Sequence, residues 1–325
     1  MARVAITGAT GFIGGHVVSH LVARGDEVRA VVRSLRASRG PLALSLGPRV
    51  TVVHARLEAR ALEQMCRGAE TIVHLAGVVS STREADFDEV NVEGTRTVAR
   101  VARAIGARLV HISSLAAAGP APASAPRSED DPPAPITAYG RSKLESERVV
   151  ASVDGLRWII LRPGVVYGPG DHALVPLFRF ASSRLLPLVG RANAAYTFVH
   201  VSDLARAIAA AVDSAIDGDT IFVGHPRPVS ARDLLEAVRA AAGRRAMIVR
   251  IPSSVQRLAA LAGDLGGALL RKPFPINSRR YAEMQAEGFV CRVDRLREYL
   301  GIVATIELRE GLVETAKWYR ENDWI

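Results

Sequence analysis

The sequence predicts an α/β protein in which a doubly wound parallel sheet is followed by a smaller, mixed lobe at the carboxyl-terminal end. In the first half of the chain, short apolar runs alternate with helical patterns, which indicates parallel strands connected by helices. The runs are apolar without strict alternation, as expected of strands that are buried on both faces. The predicted strands are 3–7, 27–32, 50–54, 71–75, 108–113 and 157–161.

Helical patterns fill the connections, and the alternation loosens after residue 163. A further strand at 220–224 is expected to rejoin the main sheet. We therefore predict one domain over 1–165 and a second lobe over 166–325, with the chain from about 196 to 224 returning to the sheet. The predicted helices are 12–24, 58–67, 87–105, 138–152, 202–213, 230–242 and 306–321.

The composition argues against several classes of protein. The 325 residues include 42 basic and 33 acidic side chains, a net charge of +9, but the arginines are scattered, so no nucleic-acid partner is expected. The positive charge could still assist an anionic ligand. Cys66 and Cys291 are far apart and in no motif, which argues against a disulfide scaffold, and no spacing suggests a metal site.

No apolar run reaches transmembrane length and no secretory pattern is present, so we expect a soluble, cytoplasmic protein without stable membrane insertion. One segment leaves a question open. Residues 255–272 are helix-like, rich in Ala and Leu, and end in Arg271 and Lys272. Such a helix either packs on the second lobe, which is the interpretation we favour, or touches a membrane surface.

The stretch VAITGATGFIGGHVV places Gly8, Gly11 and Gly14 at intervals of three, directly after the first strand and into the first helix. Gly8 permits a tight turn, Gly11 lets a pyrophosphate approach the backbone, and Gly14 lets the helix pack on the strand. The helix N-terminus then faces the phosphates. In this strand–turn–helix context, a dinucleotide site is favoured over a structural glycine turn.

TGATGFIG resembles the extended branch of the short-chain dehydrogenase/reductase superfamily, the NAD-dependent epimerase/dehydratase family, which has a Rossmann fold. HLAG at 74–77 and NVEGT at 91–95 also match its patterns. The resemblance implies that HLAG runs beside the cofactor ribose and that Asn91 braces the sheet. Arg56 departs from the family's aspartate near the adenine, whereas Leu57 is kept. The cofactor-binding residues that the resemblance implies are Gly8, Thr10, Gly11, Phe12, Ile13, Gly14, Leu57, Leu75, Ala76, Gly77, Tyr139, Lys143, Pro163 and Val166.

The end of the second strand bears on the choice of cofactor. NAD sites place an acidic residue there for the adenosine ribose, but this strand ends in Arg33, with Arg36 and Arg39 nearby. An arginine at this position would pair with the 2′-phosphate of NADP. We therefore favour NADP(H) as the cofactor, with NAD(H) left open because Arg33 could also be a solvated arginine.

Four polar side chains are candidates for catalysis. Ser113 and Ser114 follow the fifth strand, at the edge where doubly wound sheets build their sites. Tyr139 and Lys143, four residues apart, share one helix face. Hydride transfer at a carbon requires proton transfer at the attached oxygen, and a tyrosine hydroxyl can perform it beside an ammonium group. The resemblance implies Ser114, rather than Ser113, as the serine that holds the substrate oxygen, with Tyr139 and Lys143 completing the catalytic set.

The substrate class depends on fewer signals. Many family members that act on nucleotide sugars have a phosphate-contacting asparagine where this chain has Val165, and LRPGVVYGPGD looks more like the steroid-dehydrogenase and dihydroflavonol-reductase-like members. We predict an NADPH-linked ketoreductase or alcohol dehydrogenase acting on an apolar small molecule. One alternative is a nucleotide-sugar epimerase or dehydratase that retains NAD. Another is a cofactor-binding regulator without turnover, a class that usually lacks the Tyr or the Lys.

Two further expectations concern the surface. The resemblance implies a homodimer formed through the helices at about 91–105 and 138–152. The Pro-rich segment 119–135, between Ser114 and Tyr139, is either a functional loop or a mobile surface loop.

Overall fold

The computed structural model describes residues 1–32, 48–54, 57–81, 83–243, 245–270, 278, 281 and 285–325. The strands are β1 (Arg3–Thr7), β2 (Glu27–Val32), β3 (Val50–His54), β4 (Thr71–His74), β5 (Arg108–Ile112), β6 (Trp158–Pro163), β7 (Val165–Tyr167), β8 (Leu185–Leu188), β9 (Ala195–Tyr196), β10 (Phe198–His200), β11 (Asp219–Val223), β12 (Val229–Ser230), β13 (Met247–Arg250) and β14 (Gly288–Phe289). The helices are α1 (Phe12–Arg24), α2 (Ala59–Cys66), α3 (Ala85–Phe87), α4 (Gly94–Ala104), α5 (Leu115–Ala118), α6 (Ala138–Ala151), α7 (Val175–Ala181), α8 (Val201–Asp213), α9 (Ala231–Ala242), α10 (Ser253–Leu270), α11 (Asp294–Leu300) and α12 (Leu308–Glu321).

The main sheet has seven strands in the order β3-β2-β1-β4-β5-β6-β11, and every neighbouring pair is parallel. Helices cover both faces. On one face, Leu21 of α1 and Ile208 of α8 join the core beneath β1. On the other, Leu62 of α2, Val98 of α4 and Val150 of α6 pack on the sheet. The predicted fold class, a doubly wound parallel sheet of the Rossmann type, is confirmed.

The chain from 85 to 104 differs from the prediction of one helix over 87–105. It divides into α3, a π-helical turn at Asp88–Glu93, and α4. Asn91 lies inside the π-helical turn, and its backbone carbonyl accepts a hydrogen bond from the Thr95 hydroxyl at 2.6 Å. Single turns of this kind are frequent at functional sites because they redirect a side chain, here that of Asn91.

Short strands and helices make up the remaining structure after β6. β7 pairs with β10, β8 with β13, and β9 with both β12 and β14. A separate core of buried apolar side chains, including Phe178, Leu235 and Tyr319, lies among α7, α9 and α12. β11 adds to the main sheet beside β6. The division into lobes at 165/166 stays a prediction.

The Pro-rich segment 119–135 is an ordered loop. The backbone of Ala121 bonds to Gly288 and Val290 at 3.0 and 3.1 Å, and further along Arg127 donates to the carbonyl of Val290 at 2.9 Å. The half-buried carboxylate of Glu129 then accepts a 3.0 Å hydrogen bond from the backbone of Phe222 in β11. The loop that separates the two catalytic candidates in sequence is therefore attached to the sheet edge.

Candidate active site

The turn between β1 and α1 depends on two close backbone approaches. Gly8 has a φ of +77°, and a Cβ atom there would lie 2.7 Å from the backbone nitrogen of Ala76. A Cβ atom on Gly14 would lie 2.2 Å from the carbonyl oxygen of Gly8. Both distances are below van der Waals contact, so only glycine fits at these positions. The turn is closed by the backbone N–H of Gly11, which donates to the carbonyl of Gly8 at 3.0 Å.

The N-terminus of α1 is suited to an anion. No side chain caps α1 and its first turn has no acidic residue, whereas α5, α6, α8 and α9 are each capped by a Ser, Thr or His side chain. The backbone N–H groups at the start of α1 therefore lie at the positive end of the helix dipole and have no side-chain acceptor. They belong to the residues around Gly11, Phe12 and Ile13. Phosphate oxygens satisfy such groups.

The HLAG segment lies beside this turn, at the carboxyl end of β4. The backbone N–H of Leu75 donates to the carbonyl of Thr7 at 3.1 Å. The half-buried side chains of Ile13, Leu75 and Val166 pack on the same core. Leu57 lies apart from them: it packs on the opposite face of the sheet, where a Cβ on Gly94 would come within 2.9 Å of its Cδ1.

Asn91 connects the HLAG segment to α6. Its amide oxygen accepts a hydrogen bond from the backbone N–H of Val78 at 2.8 Å, and its amide nitrogen donates to the Val78 carbonyl and to the Ser142 hydroxyl, both at 3.0 Å. Ser142 directly precedes Lys143. Asn91 was expected to brace the sheet, whereas its side-chain bonds connect the loop after β4 to α6, the helix of Tyr139 and Lys143.

Two contacts with α6 lie on either side of Ser114. The buried Lys143 ammonium donates to the carbonyl oxygen of Ile112, two residues before Ser114, at 2.7 Å. A Cβ on Gly140 would lie 2.4 Å from the carbonyl oxygen of Ala116, two residues after Ser114. These two contacts bring the carboxyl end of β5 and the start of α6 together. Because Tyr139 directly precedes Gly140, it lies in the same region as Ser114. Residues far apart in sequence are thereby assembled at one edge of the sheet.

Lys143 is buried, and burial lowers the pKa of its ammonium to about 8, while the nearby Glu147 carboxylate raises it. The side chain therefore stays mostly protonated at neutral pH. Its charge favours the deprotonated form of an adjacent acid.

Tyr139 lies at the beginning of α6, next to the π-helical region. The Thr137 hydroxyl caps the helix by accepting from the backbone N–H of Gly140 at 3.0 Å. The ring of Phe87 lies 6.3 Å from that of Tyr139, centroid to centroid, at an interplanar angle of 57°. The Ser142 hydroxyl donates to the backbone carbonyl of Tyr139 at 2.8 Å. These contacts fix the backbone and one side of the ring.

The ion pair beneath these residues was not predicted from the sequence. Glu147 accepts hydrogen bonds from Arg162 at 2.9 and 2.6 Å, and the hydroxyl of Ser113 donates to the same carboxylate. All three side chains are buried. Ser113 therefore has a structural partner. The hydroxyl of Ser114 also has one, because it caps α5 by accepting from the backbone N–H of Ala116 at 3.2 Å, and the choice of Ser114 as the catalytic serine stays a prediction. Spacing could have suggested Glu147, because it follows Lys143 by four residues.

His16 of α1 also has a specific partner. Its Nε2 atom lies 2.8 Å from the carbonyl oxygen of Pro169 in the GPGD segment. The helix that begins at the glycine turn is thus joined to the loop after β7. His20, four residues later, is half-buried and has no comparable bond among the described residues.

Arg33, Arg36, Arg39 and Arg56, on which the cofactor argument depends, lie outside the described residues. Thr10 is half-buried in the glycine turn, and Pro163 ends β6 next to Val223 of β11. Cys66 and Cys291 are buried and free. Over the described ranges, no group of His, Cys, Asp or Glu side chains could hold a metal ion.

Residues 4–224 match the NAD dependent epimerase/dehydratase family. This chain belongs to that family. It is 30% identical to ceramide reductase of Caulobacter vibrioides, over 99% of this chain and 96% of that one. It is 28% identical to 4-hydroxy-2-methyl-3-oxo-4-farnesyl-3,4-dihydroquinoline-1-oxide ketoreductase of Stigmatella aurantiaca, over 95% and 94% of the two chains.

Among solved structures, the chain is similar to DesIV, a dTDP-glucose 4,6-dehydratase of Streptomyces venezuelae with NAD and TYD bound. The identity is 26%, the TM-score 0.79, and the coverage 98% of this chain and 97% of that one. The family includes reductases, epimerases and dehydratases. Membership in it identifies the protein as an NAD(P)-dependent oxidoreductase of the short-chain dehydrogenase/reductase type. In the described part of the chain, no helix is long and apolar enough to span a membrane.

Proposed function

We propose that this enzyme is an NADPH-linked ketoreductase or alcohol dehydrogenase that acts on an apolar small molecule. The observation that carries the proposal is the position of Ser114, with Lys143 bonded to Ile112 on one side and Gly140 packed on Ala116 on the other. This arrangement supports a catalytic set of Ser114, Tyr139 and Lys143 at the carboxyl edge of the sheet.

The proposed chemistry is assigned to these three side chains. Gly8, Gly11 and Gly14 would hold the cofactor pyrophosphate at the start of α1, and the bound cofactor would supply a hydride to the carbonyl carbon of the substrate. The Tyr139 hydroxyl would donate its proton to the carbonyl oxygen as that oxygen gains charge. The Ser114 hydroxyl would hydrogen-bond the same oxygen, and the Lys143 ammonium would stabilise the phenolate left on Tyr139.

An apolar substrate is supported by Val165, the first residue of β7, which has 36% of its surface exposed. A valine offers no hydrogen bond to a sugar-nucleotide phosphate, where many relatives have asparagine. The names of two relatives, the ceramide reductase and the farnesylated quinoline ketoreductase, also support an apolar substrate. NADP(H) as the preferred cofactor rests on the sequence position of Arg33.

The test is turnover of a panel of apolar ketones and alcohols with each nicotinamide cofactor. We expect ketone reduction with a higher kcat/KM for NADPH than for NADH, and an Arg33→Ala variant that loses this preference. Equal use of both cofactors, or better use of NADH, would refute the NADPH assignment. No turnover of any ketone or alcohol, with activity on a UDP- or dTDP-sugar, would refute the proposed function.

The second candidate is a nucleotide-sugar epimerase or dehydratase, which the similarity to DesIV along 98% of the chain favours. Such an enzyme regenerates its NAD in each cycle and keeps it bound. Absorbance of the purified protein distinguishes the two, because a retained nucleotide adds a band that apo protein lacks. A regulator without turnover would bind cofactor and convert neither class of substrate.

We further propose that the protein is a cytoplasmic homodimer that associates through α4 and α6. Arg100, Arg103, Arg141 and Arg148 are exposed on these helices. Charged groups are depleted at the cores of stable interfaces, so these arginines would lie at the rim. Light scattering after size-exclusion chromatography measures the molar mass and shows whether the particle contains one chain or two.

A further inference from the structure

Helix α10 has one buried side and an apolar side that faces outward. One side, with Gln256, Ala260 and Gly263, is buried against the protein. The other side carries Val255, Leu258, Leu261 and Leu265, which are 52, 70, 56 and 75% exposed. Spacings of three and four residues place these four on one stripe, here called the leucine stripe. An outward apolar stripe of this length on a helix that is already packed marks a contact surface.

A second exposed apolar surface lies near the beginning of α10. An open groove of about 490 Å³ between α7 and the β8–β13 pair is lined mainly by Phe180, Leu185, Pro187, Val249 and Ile251. Ile251 lies two residues before the start of α10, so the groove reaches the beginning of that helix. Phe180 and Leu185 are themselves half-exposed at 48 and 51%.

Basic side chains flank this apolar surface. Arg184 borders the groove, Arg250 ends β13, and Arg257 lies on α10; all are exposed. None of the three forms an ion pair with a described residue. Asp264, the acidic residue of α10, accepts hydrogen bonds from the Ser278 backbone at 3.2 Å and from its hydroxyl. The surface therefore presents apolar side chains edged by arginines that have no ion-pair partner in the part of the chain that the structure describes.

We propose that the leucine stripe docks on the surface of a lipid bilayer that contains anionic lipids. Leucine and valine side chains bury among acyl chains while arginines pair with anionic headgroups, which is the pattern of an interfacial helix. A protein partner is less favoured, because the energetic centres of protein interfaces are enriched in Trp, Tyr and Arg, and the stripe itself has none. Docking would bring an apolar substrate within reach of the enzyme, a purpose that rests on the proposed function.

Vesicle co-sedimentation of the full-length protein, without substrate or cofactor, tests the proposal. We expect binding to phosphatidylcholine–phosphatidylglycerol vesicles that is stronger than binding to phosphatidylcholine alone and weakens with added salt. A Leu258→Gln/Leu265→Gln variant should bind at least about tenfold more weakly, because it loses two buried apolar groups. Arg257→Gln should bind anionic vesicles about fivefold more weakly.

Val313→Gln is the matched control, because Val313 is 58% exposed on α12, away from α10. It should bind vesicles as the wild type does. Gln is used because it keeps helix propensity close to that of Leu. Turnover of a short, water-soluble ketone should be equal in the wild type and the double variant, so a failure of catalysis is recorded separately from a failure of docking.

Three results would overturn the proposal. The first is wild-type protein that stays in the supernatant with anionic vesicles, and the second is a double variant that sediments as well as the wild type. The third is a double variant that changes from dimer to monomer in light scattering without vesicles, because the stripe would then be an interface between two copies.

Discussion

The carboxylate of Glu147 accepts hydrogen bonds from Nε and Nη2 of Arg162 at 2.9 and 2.6 Å, with the two side chains only 6 and 8% exposed. Glu147 lies one helical turn after Lys143, and Arg162 lies in the strand that ends at Pro163. Ser113, next to Ser114, donates to the same carboxylate. The ion pair thus connects α6 to the ends of β5 and β6, beneath the residues proposed for catalysis.

Removing the charge of Glu147 should change the pH dependence of catalysis. The ammonium of Lys143 has a pKa lowered by burial to about 8, and Glu147 raises that pKa. Ketone reduction by the wild type should therefore fall as pH rises through about 8, and Glu147→Gln should move this limb to lower pH. The measurement is kcat/KM against pH.

Glu145→Gln is the control, since Glu145 lies on the exposed face of the same helix and pairs with Arg148 at 3.2 Å. Its profile should overlay that of the wild type. An unmoved limb in Glu147→Gln, or one moved to higher pH, would show that Glu147 does not support the charge of Lys143.

The same substitution should also reduce stability. Glu147→Gln leaves the Arg162 guanidinium buried without a counter-charge, and breaking a buried pair in this way costs about 3–5 kcal/mol. Glu145→Gln breaks only an exposed pair and should cost less than about 1 kcal/mol. Urea unfolding of the two variants measures the difference. Equal free energies of unfolding would mean that Arg162 finds another partner.

Cofactor binding should be lost when Gly8 is replaced by alanine. A Cβ there would lie 2.7 Å from the Ala76 nitrogen, at a φ of +77°. Gly68→Ala separates strain from clash, because Gly68 has a similar φ of +82° with nothing within 4 Å of the added atom. Both variants pay about 1–2 kcal/mol for the left-handed conformation. In fluorescence titrations with NADPH, only Gly8→Ala should fail to bind. Weak binding by both variants would show that the clash at Gly8 is not what prevents binding.

Asp171 should make the protein less stable at neutral pH than at acid pH. Its buried carboxyl accepts hydrogen bonds from the backbone N–H groups of Ala173 and Leu174 at 2.7 and 3.2 Å, yet burial raises its pKa to about 6. Because the folded pKa is raised, its stabilising contribution is complete below about pH 4 and is lost as pH rises through about 6. The loss is about 3 kcal/mol.

Urea unfolding at pH 4 and pH 7.5 tests this for the wild type, Asp171→Asn and the exposed control Asp154→Asn. The wild type and Asp154→Asn should show the same change between the two pH values. From pH 4 to pH 7.5, the fall in the free energy of unfolding should be about 3 kcal/mol smaller for Asp171→Asn than for the wild type. An identical pH dependence in all three proteins would refute the assignment to Asp171.

Local patterns were sufficient for the main sheet. The predicted strands 3–7, 27–32 and 50–54 match β1, β2 and β3, and strand 220–224, expected to rejoin the main sheet, corresponds to β11, which pairs with β6. Each of these strands is a short apolar run bounded by turn residues, so its signal lies within its own sequence. Short strands such as β9 and β14, of two residues each, were not predicted because two residues carry no periodicity.

Long-range pairings could not be read from the sequence. The pair of Glu147 with Arg162, the bond from His16 to Pro169 and the particular partners of Asn91, Val78 and Ser142, join positions 13 to 153 residues apart. Each residue type is ordinary at its own position, and only the fold brings the partners together. The catalytic candidates could be predicted from the sequence because they match a family pattern. Their own spacing alone would not have been sufficient.

The most direct test of the proposed function is NADPH oxidation with an apolar ketone by the wild type and by Tyr139→Phe. Loss of the hydroxyl removes the proposed proton donor, so kcat should fall about 10²–10⁴-fold while the variant still binds NADPH. Tyr299→Phe, at a side chain that is 42% exposed on α11, should behave as the wild type. A Tyr139→Phe enzyme that reduces the ketone at the wild-type rate would contradict the account.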